Sequence, residues 1–258
     1  MLETILKPIM EDLEYSKDLT KKEFAYVLKR TGDFTGLEHL LTKTSLGSVL
    51  VITSSRIFGG DAEKTAVLSV VMRFIYIASK VHDAITSDES VPVIKGCGQM
   101  NGDRFFVLLG DFFHSRASVI LQESGIKGMV SSIADIVCRM QEARIQKRMI
   151  TDYSADTQIF HGIIQREYAE IHSGCCMLGA RLAGASAEEQ EIMASFGRYL
   201  GMAISMTEEY NLPDQAAHYL VKARETLLSI PDRPERTILE QLVNMVADSG
   251  VKAQRMVG

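Results

Sequence analysis

The sequence predicts an all-α protein, and three observations carry that reading. Apolar residues recur at three- and four-residue spacing along nearly the whole chain, and no segment of six or more residues alternates with the period of two that a half-buried strand requires. Prolines stand only at positions 8, 92, 213, 231 and 234, so residues 93–212 lack the residue that costs a helix interior roughly 3 kcal/mol. Thr20-Lys21-Lys22-Glu23 and Ser186-Ala187-Glu188-Glu189 are both written as capping boxes. Roughly nine or ten helices and no sheet are expected.

Taken in order, Ile5, Ile9 and Leu13 share the first apolar stripe. The Thr20 box predicts a helix opening there, running through Phe24, Val27 and Leu28 and stopped by Thr31-Gly32-Asp33. A run over 37–58 ends at Gly59-Gly60, and Asp61 can then cap a helix to about residue 82. That helix is apolar almost all round (Val67, Leu68, Val70, Val71, Phe74, Ile75, Ile77), which predicts a central, buried element. Pro92 and three glycines make 87–103 a long loop, after which helical periodicity resumes over 104–122, 130–149 and 157–183. The Ser186 box opens a helix through Phe196, Leu200 and Met206, Pro213 marks a break, and 214–230 and 235–248 finish as helices. No internal repeat, linker or compositional shift divides the chain, so one domain over 1–258 is expected.

Composition removes several classes. The chain has 258 residues, 46% hydrophobic and 24% charged, which is folded rather than low-complexity composition. With 28 basic against 33 acidic residues and a net charge of −5, it lacks the footprint of a nucleic-acid binder. Cys97, Cys138, Cys175 and Cys176 form no C-x-x-C pair, and the adjacent Cys175 and Cys176 suit neither an ordinary disulfide nor a metal site. Reduced thiols in a cytoplasmic protein are expected. The N-terminus is acidic without a long apolar core, so no signal peptide is expected. The most apolar stretch, 66–79, is interrupted by Arg73 and falls short of the roughly 20 residues that span a bilayer, which argues against an integral membrane protein.

Common catalytic patterns are absent. There is no Glu-x-x-His pair of the di-iron bundles, Asp111-x-x-His114 being the nearest approach, and the six histidines give no zinc spacing. No P-loop and no G-x-S-x-G occurs. Glu208-Glu209 could hold Mg²⁺ through oxygen ligands, although a solvated helix end before Pro213 accounts for the same residues.

Several segments, read in order, resemble the trans-isoprenyl diphosphate synthases, the polyprenyl synthetase family. The stretch from Phe74 to Asp83 resembles the helix leading into that family's first aspartate-rich motif. The stretch from Phe106 to Ala117 resembles its A-V-L-x-G-D-x-L-L-x-x-A segment, with Gly110 and Asp111 in place. The stretches from Leu178 to Gly184 and from Phe196 to Ala203 resemble the two segments before its second motif, and Pro213 to Val243 its C-terminal helices. The resemblance implies a bundle of long helices around a central cavity, usually dimeric. It implies Mg²⁺ held by two D-D-x-x-D helices, where carboxylates at i and i+4 share one face. There the allylic diphosphate ionises and the double bond of isopentenyl diphosphate attacks the carbocation. On that pattern the metal-facing acids here are Asp83, Glu208 and Glu209, the residues meeting diphosphate are Lys43, Lys95 and Arg166, and Ala78, Ser79, Phe112 and Phe113 line the cavity.

The pattern is incomplete. Ser87 replaces the acid one turn after Asp83, and Asp88 lies about 140° around the helix from Asp83. The second motif reads Glu208-Glu209-Tyr210-Asn211-Leu212, ending in an apolar residue. The family's G-K-x-x-R-P segment aligns with residues 43–48, keeping only Lys43, its Arg-Arg pair leaves Lys95, and its Lys-Thr pair aligns with Glu167-Tyr168 beside Arg166. The resemblance therefore implies a non-catalytic or regulatory subunit, paired with an active polyprenyl diphosphate synthase or with itself. A weakly active Mg²⁺-dependent prenyltransferase and an isoprenoid-binding protein without chemistry are the alternatives.

Overall fold

The computed structural model describes residues 2–31, 45–83, 103–150 and 157–257, and among these every regular element is helical. In chain order these are α1 (Leu2–Leu6) with a 3₁₀ turn, α2 (Met10–Thr31), α3 (Leu46–Ile57), α4 (Ala62–Asp83), α5 (Asp103–Glu123), α6 (Val130–Met149), α7 (Thr157–Ile164), a π-turn (Gln165–Ala169), α8 (Glu170–Leu182), α9 (Ala187–Glu208), α10 (Pro213–Leu227) and α11 (Arg236–Val257). The eleven α-helices among the described residues exceed the nine or ten expected because the 157–183 stretch is split by the π-turn. The helices group into two compact units, one of Met10–Val49 with Ala62–Val130, the other of Met1–Ile9, Leu50–Asp61 and Ser131–Gly258.

In the first unit α2 and α5 pack on α4. Leu68, Val70, Val71 and Phe74 of α4 are fully buried, each contributing about 1.5–3 kcal/mol. Phe113 of α5 meets Phe74 edge-on with centroids 5.3 Å apart and stacks on Phe24 of α2 at 6.4 Å. Ser16 and Ser69 share a buried hydrogen bond of 2.9 Å between α2 and α4. α4 is long and apolar enough to cross a membrane by length and composition, and 78% of its apolar window is buried as a core helix would be.

The Thr20 box is not a helix start. α2 is continuous from Met10 to Thr31, and the Thr20 hydroxyl donates to the Ser16 carbonyl at 2.8 Å, the back-bond of a Thr inside a helix. Glu23, expected to close the box, instead accepts from Arg116 Nε at 2.9 Å and Nη2 at 2.6 Å, while that guanidinium lies 4.3 Å from the Tyr26 ring.

In the second unit the Ser186 box forms in full. Glu189 N–H donates to Ser186 Oγ at 3.2 Å, and Ser186 N–H donates to Glu189 Oε2 at 2.7 Å. Those bonds hold the Glu189 carboxyl below its usual range. α8 and α9 form the most extensive helix pair of this unit, with Gly197 of α9 facing the α8 backbone at His172 and Gly201 facing Ala169 of the π-turn. α6 attaches by a buried stripe of Ile133, Ile136, Met140 and Ala143 and by polar rungs: Arg181 to Ser132, Arg139 to Glu170 and Lys147 to Glu167. Cys175 and Cys176 are buried, which pushes the Cys176 thiol up to about 12 and Cys175 well above its ordinary value.

Candidate functional site

Asp83 is the last residue of α4, and the residue before it explains how that end is held. The His82 ring lies over Gly110 of α5, where any Cβ would run into the imidazole. His82 Nε2 stands 3.4 Å from the Val107 carbonyl and 3.5 Å from Asp111 Oδ1, and the His114 ring centroid is 5.7 Å away. Asp111 and His114, the pair noted for its spacing, therefore flank His82 one turn apart. Gly110→Ala is expected to turn the His82 ring away from α5 with the thermal melt held within about 1 kcal/mol, because the end of a side chain gives way and alanine adds helix propensity; an unchanged His82 imidazole NMR shift would show that the ring does not lie over Gly110.

The remaining residues of this half are placed as follows. Ala78 and Ser79 are buried on α4. Phe113 fills the core between Phe24 and Phe74, and half-buried Phe112 meets it edge-on at 6.3 Å. Lys43, Ser87, Asp88 and Lys95 lie outside the described residues.

In the second unit, α9 ends at Glu208. Glu209 and Tyr210 each donate their N–H to the Ser205 carbonyl, at 3.0 and 3.2 Å. Asn211 then takes a left-handed φ of 52°, Leu212 N–H reaches the Met206 carbonyl at 2.7 Å, and Pro213 opens α10. Glu208 and Glu209 are exposed at this terminus. Position 212, one turn beyond Glu208, is outside the helix. An acid there would not share the Glu208 face. Among the described residues no group of three His, Cys, Asp or Glu side chains is arranged to hold a metal ion.

Beside Tyr210 lies a cluster that the sequence did not point to. Lys147 Nζ donates to Glu167 Oε2 at 2.9 Å, to Tyr210 Oη at 3.3 Å and to Tyr168 Oη at 3.5 Å. Burial alone would lower the Lys147 pKa, but the hydrogen bond and charge of Glu167, with Tyr168 and Tyr210, raise it above its ordinary value. Lys147 thus stays an ammonium while carboxylates and imidazoles titrate. Arg166 is also engaged: Nε donates to the Gly162 carbonyl at 3.1 Å, and Nη2 donates to Gln146 Oε1.

The chain is 21% identical over 163 residues to the octaprenyl diphosphate synthase of Escherichia coli (strain K12), an alignment covering 62% of this chain and 50% of that protein. It is 27% identical over 168 residues to heptaprenyl diphosphate synthase component 2 of Geobacillus stearothermophilus, covering 62% and 51%. The chain thus spans about half the length of the curated relatives it matches. Its fold matches the polyprenyl synthase of Caulobacter crescentus CB15, crystallised with calcium and isoprenyl diphosphate, with a TM-score of 0.82 at 16% identity over 96% of this chain and 97% of that one. It also matches a deletion mutant of the mint heterotetrameric geranyl pyrophosphate synthase, with a TM-score of 0.66 at 18% identity over 89% and 98%. Homology and fold support membership in the trans-isoprenyl diphosphate synthase family. No family model matches the chain.

The fold is the all-α isoprenoid-synthase fold. Glu167, which the resemblance sets against the family's lysine, is neutralised by the ammonium of Lys147 from α6. Where one cation is implied by the resemblance, a matched ion pair is found.

Proposed function

We propose that this chain is a polyprenyl diphosphate synthase-like component of isoprenoid biosynthesis that acts as a non-catalytic or regulatory subunit, pairing with an active synthase. The observation that carries this reading is the end of α9. Glu208 and Glu209 are kept, but the chain turns at Asn211 before a third acid can share their face. Two further observations support it. The charge at Glu167 is neutralised internally by Lys147, and two proteins of related sequence or fold are described as a synthase component and as a heterotetramer. Pairing supplies what this chain lacks, since the partner brings both complete aspartate motifs and this chain contributes helical surface and apolar packing. Mixed with a full-motif polyprenyl diphosphate synthase, the chain is expected to co-elute with it and to change its product length. A mixture that elutes as two separate species and gives an unchanged product refutes the proposal.

A second reading rests on the retained acids. Glu208 and Glu209 retain two carboxylates at the end of α9, and on this reading the chain supports slow Mg²⁺-dependent prenyl transfer. The ion would supply charge neutralisation of the departing diphosphate, while the chain would orient it. Turnover by the isolated protein separates the two readings.

A further inference from the structure

We draw no further inference here: the strongest candidate, the outer face of α6 on which Ile145 and Met149 stand 60% and 80% exposed, is an apolar patch with nothing in the structure to show what covers it.

Discussion

Given Mg²⁺, isopentenyl diphosphate and an allylic primer, the purified chain is expected to form product at least about 10⁴-fold more slowly than a synthase with both aspartate motifs intact. The chemistry breaks an allylic C–O bond, and its electron pair leaves with pyrophosphate. The rate therefore depends on how much positive charge is already arranged around the leaving group. Losing one preorganised electrostatic partner costs about 10²–10³ in rate. In the first motif Ala84 and Ser87 stand where the resemblance implies acids, and in the second Leu212 does. Even if such losses overlap, two independent ones suffice for 10⁴. The second motif also resists repair, because position 212 lies beyond the left-handed Asn211 and outside α9. Leu212→Asp is thus expected to restore nothing. Incorporation of labelled isopentenyl units is the measurement. Turnover within tenfold of a full-motif synthase, lost on Asp83→Ala, would establish the enzyme reading and end the subunit reading.

The end of α9 was legible in the sequence in one respect. A residue before proline is pushed out of the helical region, so Leu212-Pro213 announces a stop, and asparagine is among the few residues that tolerate the left-handed turn before it. The Ser186 box was legible for a similar reason, since its partners are three residues apart and nothing else competes for them. The Thr20 box has the same letters and fails. Its helix was already running from Met10, and Glu23 had a stronger partner in Arg116, 93 residues away. Distance along the chain also hid the Lys147 cluster, whose members lie 20, 21 and 63 residues from Lys147. Nor does any proline within 157–183 mark where the helix widens into the π-turn. Local signals were readable; meetings between distant polar side chains were not.

Gly197→Ala is expected to destabilise the protein, although helix propensity by itself predicts the opposite. Alanine in a helix interior is favoured over glycine by about 1 kcal/mol. Against that gain stands the backbone of α8. A Cβ on Gly197 would run into the His172 carbonyl oxygen, with the carbonyl carbon at 2.8 Å and Cys176 Sγ at 2.9 Å. One turn on, a Cβ at Gly201 would lie 2.8 Å from Ala169 Cα. Neither neighbour is the free end of a flexible side chain. The His172 carbonyl belongs to the body of α8, and the His172 ring is held by a 3.0 Å contact from Nδ1 to the Tyr168 carbonyl. The two helices must therefore separate, loosening the contacts of Met193, Phe196 and Leu200, all fully buried on α9. Overpacking of this kind costs about 1–3 kcal/mol, and the branched Gly197→Val takes the upper end or more. Net of the propensity gain, a loss of up to about 2 kcal/mol is expected for alanine. A melting temperature lower by up to roughly 8 °C follows for a domain of this size. Circular dichroism melts of the two variants read the sign directly. A higher melting temperature for Gly197→Ala would mean that α8 and α9 do not approach this closely, and the position of the π-turn against α9 would have to be redrawn.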